Sequence, residues 1–144
     1  MRDIVIRSGG VELTARLAGT LTARVVWQAL PLRLTAIFWG RLVRLDTEIE
    51  AYRDADAVQL ATLGQLLFSP EHEEILIPYG TTPISRAGEI RLPSPSNVWA
   101  EALDDVQVLR DVEDGAAVII SAYDRAVPRA KKPANPPPKA PWRD

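Results

Sequence analysis

Val11 to Ala18 reads VELTARLA, and its apolar residues fall at every second position. Val11, Leu13, Ala15 and Leu17 share one face, while Glu12, Thr14 and Arg16 share the other. Successive side chains of a strand point to opposite sides, so this period of two marks a strand with one face in a core and one in water. Shorter segments of the same character recur along the chain. They are Ile4–Ile6, Leu34–Trp39, Arg41–Leu45, Ala57–Ala61, Gln65–Phe68, Glu74–Tyr79, Asn97–Leu103 and Ala117–Tyr123. Arg7-Ser8-Gly9-Gly10, ahead of Val11, is a hairpin signal. Two segments break the pattern. From Thr20 the spacing of Leu21, Val25, Trp27 or Val26, and Leu30 predicts a helix of about three turns, capped by Thr20 or Thr22 and ended before Pro31. Asp104–Gly115 predicts a second, short helix, with Asp104 and Asp105 at its positive end and Val106, Leu109 and Val112 on one face. Many short strands with two helices predict an all-β-dominated fold closed into a barrel, because closure removes exposed strand edges.

At 144 residues with 47% apolar composition, the chain has the size of one domain with a packed core. It holds no cysteine, which excludes disulfides, zinc-thiolate sites and thiol catalysis and fits a reducing compartment. No apolar stretch has the length of a signal peptide core or a membrane span, so a cytoplasmic protein without a membrane partner is expected. The net charge of −2 divides unevenly. Residues 1–123 carry 11 arginines, no lysine and 17 carboxylates, a charge of −6, whereas residues 124–144 carry six basic and two acidic groups, a charge of +4. An acidic body argues against nucleic acid as a partner, since phosphate contacts need concentrated Lys and Arg. The segment 124–144 also holds six of the 12 prolines. Proline removes amide donors, so this segment is expected to be extended or disordered, a solubilising terminus or a docking arm for a protein partner anchored by Trp142.

The order of several short motifs identifies a family. Trp39-Gly40, LGQLLFSP (Leu63–Pro70), YGTTPIS (Tyr79–Ser85), PSPSNVWAEALDD (Pro93–Asp105) and Asp114-Gly115 follow one another as in the small bacterial and archaeal cyclophilin-like proteins, which this chain resembles. The resemblance covers about Trp39 to Gly115 most closely. It implies a cyclophilin-like closed eight-stranded β-barrel with two capping helices for residues 1–123, and leaves 124–144 outside. It does not imply peptidyl-prolyl isomerase activity. Authentic cyclophilins use an arginine, a glutamine, a histidine and an aromatic-lined pocket. Their phenylalanine-rich, glutamine-glycine-glycine segment is missing here, and His72, the one histidine, lies in SPEHEE between two predicted strands. Whether the chain is an enzyme of another kind stays open.

The expected role is therefore binding of a small molecule or short peptide on the barrel face. Candidate ligand-binding residues are Trp39, Arg41, Tyr79, Thr82, Ser85 and Asn97. Aromatics supply contact area, Arg41 can pair with a carboxylate, and the hydroxyls and amide can orient a ligand. Each has a bland counterpart: half-core aromatics, a solvated arginine, turn hydroxyls that bond free backbone groups, and a turn asparagine. Trp27 and Trp99 are expected under the helices. A nucleophilic Ser85 needs a base, and His72 reads as a solvated turn residue. In ILIPYGTTPIS, Gly80 is expected to supply a positive φ and Pro83 to fix the next segment. No catalytic residue, metal or cofactor is assigned. The alternatives are a small enzyme, an isomerase or an accessory of small-molecule amide metabolism, and an interaction module using the proline-rich segment. For the enzyme reading, Asp46, Glu48 and Glu50 at period two offer three carboxylates on one strand face for a divalent metal or acid–base work.

Overall fold

The Ser8-Gly9-Gly10-Val11 turn does join two strands. In the computed structural model, which describes residues 2–124, β1 (Asp3–Ser8) and β2 (Val11–Leu17) pair antiparallel with Ser8 opposite Val11. Helix α1 (Leu21–Ala29) follows, and its N-cap is Thr20, whose hydroxyl accepts the Ala23 N–H at 3.1 Å. Then come β3 (Leu32–Phe38), β4 (Leu42–Asp46), β5 (Val58–Ala61), β6 (Gln65–Ser69), β7 (Glu74–Pro78), β8 (Ile90–Ala102), a 3-10 helix (Val106–Asp111) and β9 (Ala117–Ala122). Neighbours run in the order β2-β1-β9-β3-β4-β7-β6-β8, and β2 pairs again with β8. These eight strands form a hydrogen-bonded ring, with β5 added outside on β8. The segment 125–144, expected to be extended, lies outside the described residues.

Two elements differ from expectation. Strand β8 begins at Ile90 rather than Asn97. Pro93 and Pro95 lie in the irregular part of its pairing with β5, where the register shifts between Val58 opposite Ser96 and Leu60 opposite Arg91. A bulge of this kind accommodates residues that have no N–H to donate. The second helix is one 3-10 segment instead of an α-helix over 104–115. Its apolar residues Val106, Leu109 and Val112 are spaced by threes, the repeat that a 3-10 helix aligns on one face. Asp105 caps it by accepting from the Gln107 N–H, and Gly115, at φ +86, turns the chain into β9.

The ring encloses the main core, which includes Ile4, Ile6, Leu13, Val43, Leu45, Phe68, Ile75, Ile77 and the fully buried Trp99. Helix α1 contributes Ala23 and Val26, and the 3-10 helix contributes Val106, Leu109 and Val112. The two cap opposite ends. Thr22 of α1 bonds Asn97, level with Phe68 and Ile75, whereas Gln107 of the 3-10 helix bonds the Tyr79 carbonyl just past the far end of β7. Trp27, half-buried on α1, carries the Arg2 guanidinium 4.9 Å from its ring centre. A second apolar layer lies outside the ring. Leu42, Leu67, Leu76 and Leu92 pack there with Trp39, Val58, Ala61 and Val98, so β7 is buried on both faces. Fully burying such a side chain contributes about 1.5–3 kcal/mol.

The β3–β4 turn depends on Gly40. It sits at φ +61, and a Cβ built there would lie 2.9 Å from the Thr81 carbonyl oxygen and 2.9 Å from Pro83 Cδ. Gly40→Ala is expected to destabilise the protein by about 2 kcal/mol, combining left-handed strain with overpacking against a backbone atom. Gly10→Ala, with open space around it and no positive φ, is the control and is expected to stay within about 0.5 kcal/mol. Chemical denaturation of both variants checks the difference.

Candidate functional site

The loop after β7 is built by its own hydroxyls. Ser85 Oγ accepts the N–H groups of Thr82 and Arg91, each at 3.0 Å. Thr82 Oγ1 donates to the Arg91 carbonyl at 2.6 Å, which leaves it to accept from the Ser85 hydroxyl at 3.0 Å. Every donor and lone pair of Ser85 is thereby occupied, and Thr82 is buried. These two residues, expected to touch a ligand, instead hold the loop closed. Ser85 has no base beside it, because His72 hydrogen-bonds Ser69. Further along the loop, Arg91 donates to the Glu89 carboxylate at 2.7 Å, and the Arg86 amide donates to it as well.

This loop meets the β3–β4 turn. The Arg41 N–H donates to the Thr81 carbonyl and the Tyr79 N–H to the Arg41 carbonyl, both at 2.8 Å. Gly80 has no positive φ, contrary to expectation. Its requirement is spatial: a side chain there would overlap the Arg41 stem, whose Cβ lies 2.8 Å from the position a Cβ would take. Trp39, Arg41, Tyr79, Thr82 and Ser85 thus do gather at one end of the ring. Their faces differ, however. Tyr79 packs edge-on to Phe38, ring centres 6.2 Å apart, against the interior core. Trp39 lies on the outer layer, half-buried, and Arg41 is exposed with no ion pair among the described residues.

The neighbour that sequence reasoning missed is Arg44. Its guanidinium lies 5.5 Å from the Trp39 ring centre and forks onto Glu74, with Nη2 to Oε1 at 2.8 Å and Nε to the two oxygens at 3.1 and 3.2 Å. Glu74 is 2% exposed, so this pair is a fixed charge arrangement under the aromatic ring. The signal was present in the alternation of β4. Leu42, Arg44 and Asp46 share the outer face, and Arg44 stands opposite Leu76 while Asp46 stands opposite Glu74.

Asn97 does not belong to this site. It is fully buried at the α1 end, where Oδ1 accepts the Asp54 N–H at 2.8 Å and Nδ2 donates to Thr22 Oγ1 at 2.9 Å and to the Tyr52 carbonyl at 2.8 Å. It clips the 47–57 segment onto β8 and α1. Nor do Asp46, Glu48 and Glu50 form a carboxylate face, because β4 ends at Asp46 and the next residues leave the sheet. No group of three or more His, Asp or Glu among the described residues could hold a metal ion. Ser69 and Ser94 are buried and hydrogen-bonded to each other at 2.8 Å, with the exposed His72 ring 3.3 Å from Ser69. A buried hydroxyl in that position holds the β6–β7 turn and is closed to substrate.

The ring, its two end caps and this turn pair define a cyclophilin-like protein. The cyclophilin-like family model matches residues 2–121, and the chain belongs to that family. The solution structure of a hypothetical protein from Archaeoglobus fulgidus is similar, with a TM-score of 0.73 and 26% identity over 85% of this chain and 95% of that one. McbB in complex with tryptophan shares the fold at a TM-score of 0.59 and 17% identity; the match takes in 96% of this chain and 50% of McbB. Comparison with curated proteins gives no match. No helix among the described residues is long and apolar enough to cross a membrane.

Replacing Asn97 by Ala removes three hydrogen bonds and leaves the Asp54 N–H and Tyr52 carbonyl without their partner. The expected loss is about 2–4 kcal/mol, with faster amide exchange at Asp54. The Glu89 carboxyl is held below the ordinary glutamate value, first by the Arg91 side chain and then by the Arg86 amide. Because its folded pKa is depressed, its contribution to loop stability is present above the ordinary glutamate pKa and is lost as pH falls through the folded value. Carbon-13 titration is expected to show Glu89 below the freely exposed glutamates, and Arg91→Ala to bring it back toward them.

Proposed function

We propose that this cyclophilin-like protein binds a small carboxylate-bearing molecule, or the end of a short peptide, at the Trp39–Arg41 end of the ring and does not isomerise prolyl bonds. What supports this reading is the pairing of a half-exposed indole with an exposed guanidinium, without an ion pair among the described residues, two residues away on a turn locked by Gly40 and the Thr81 carbonyl. Aromatic contact combined with one oriented cation is the usual chemistry of recognition for such a ligand, and a locked turn lowers the ordering cost of binding. Arg44 lies over Trp39 from the adjacent strand and is itself neutralised by Glu74, whereas Arg41 is exposed toward a ligand. McbB, about half of which matches this chain, has been determined in complex with tryptophan, which makes an aromatic carboxylate a natural first ligand to test. Against isomerase chemistry stands the position of His72. It occupies the β6–β7 turn, at the opposite end of β7 from Tyr79, and its ring is hydrogen-bonded to Ser69.

Nitrogen-15 NMR titration with tryptophan, indole-3-acetate and an acetylated proline tripeptide tests the reading. Saturable shifts are expected at the Trp39 indole N–H and at the Arg41 and Thr81 amides, with binding weakened about tenfold by Arg41→Ala. Shifts centred elsewhere, or affinity unchanged in that variant, would overturn the site. In an exchange assay on a proline peptide the protein is expected to give the uncatalysed rate, and catalysis on the scale of an authentic cyclophilin would contradict it.

A further inference from the structure

At the opposite end of the ring the 47–57 segment crosses from β4 toward β5. Thr47 ties its start to the Glu73 carbonyl through both its N–H, at 2.9 Å, and its hydroxyl, at 2.7 Å. Ile49 is inserted into the main core, and Asn97 holds Tyr52 and Asp54 by their backbone. The segment is thus anchored at Thr47, Ile49, Tyr52 and Asp54, yet Tyr52 is 91% exposed. Beside it runs a groove of about 390 Å³ lined by Ala51, Tyr52, Arg53, Pro70, Glu71 and Pro95. An anchored backbone that presents a whole tyrosine to water is the arrangement seen at contact sites, where a rigid aromatic contributes area at small entropic cost.

The surface around the groove has a definite charge. Between residues 46 and 73 there are seven carboxylates and one arginine, a balance of −6, equal to the whole imbalance of residues 1–123. Asp46, Glu48, Glu50, Asp56 and Glu71 are exposed. The groove itself adds proline rings and an aromatic face, surfaces that pack against the ridges of an extended proline-containing chain.

We propose that this groove is a docking site for an extended segment of a partner protein that carries lysines and prolines. The prolines rest against Tyr52, Pro70 and Pro95, and the ammonium groups pair with Glu71 and with the carboxylates of the 47–57 segment. Tyr52 adds a cation–π face for one of them. Carboxylates outnumber cations locally, so an acidic or neutral segment lacks the attraction that holds a basic one. This site shares no residue with the Trp39–Arg41 end and stands independently of the function proposed there.

The test is nitrogen-15 NMR titration of the full chain with an acetylated, amidated hexapeptide of alternating proline and lysine, and with its proline–glutamate counterpart. The lysine peptide is expected to shift the amides of Ala51, Tyr52, Arg53 and Glu71 saturably. Binding is expected to weaken with added salt and to fall at least about fivefold in Tyr52→Ala, a fully exposed position whose replacement leaves the fold intact. The glutamate peptide is expected to cause no shift. Equal binding of both peptides, shifts confined to the Trp39 end, or unchanged affinity in Tyr52→Ala would each overturn the proposal. Residues 125–144 have the same chemistry, so a second arm uses the full-length variant Lys131→Gln/Lys132→Gln/Lys139→Gln. Affinity equal to that of the native chain supports a separate partner. Clearly tighter binding in the variant would show that the chain's own segment competes for the groove, and would overturn the assignment to a partner.

Discussion

The pairing of β2 with β8 closes the ring. Without it the eight strands would form an open sheet with two free edges, and the interior faces of Leu13, Phe68 and Trp99 would lack a common core. Closure places demands on β8. It pairs with β6, β2 and β5 in one 13-residue strand, and it does so with register shifts against both β6 and β5. Those irregularities bend the strand around the ring, which is how bulges act in closed sheets. They also place Leu92 and Val98 outside, where with β5 they cover the second apolar layer.

The two ends of the ring are then finished in different ways. At one end the 3-10 helix covers the core, and the β3–β4 turn locks onto the loop after β7 through Arg41, Thr81 and the space left by Gly40 and Gly80. The outer layer supplies Trp39, and the ion pair of Arg44 with buried Glu74 holds its ring in place. At the other end α1 and the 47–57 segment meet on Asn97, whose amide satisfies one group of the helix and two of the segment. Both ends combine a firmly bonded backbone with an aromatic that is left partly or wholly uncovered. A rigid frame with an exposed aromatic costs little further order when something docks on it.

Much of the ring was legible because its signals are local. Alternation in Val11–Leu17, the glycine turn before it, the Thr20 cap and the spacing by threes of Val106, Leu109 and Val112 each report on a few neighbouring residues. The ordered motifs supplied the family. The site was legible only in part. That Trp39 and the Tyr79–Ser85 stretch come together could be read from their motifs, but which atoms stay free could not. The hydroxyls of Thr82 and Ser85 are consumed by Arg91, six or more residues further on, and the Asn97 amide is consumed by Thr22, Tyr52 and Asp54. Such long-range satisfaction leaves no periodic trace. Nor does the need for Gly80, which comes from a neighbouring arginine stem and not from its own φ. The alternation of β4 does place Arg44 on the outer face, but its pairing with Glu74, 30 residues away, leaves no such trace.

In the function proposed for this ring, the Trp39–Arg41 turn is where it meets its ligand. A crystal structure of the protein with the tightest-binding aromatic carboxylate tests it most directly. The aromatic group is expected against Trp39 and the carboxylate within hydrogen-bonding distance of the Arg41 guanidinium, with the Thr82–Ser85–Arg91 hydrogen bonds unchanged. A ligand found inside the ring or bonded to Ser85 would contradict it.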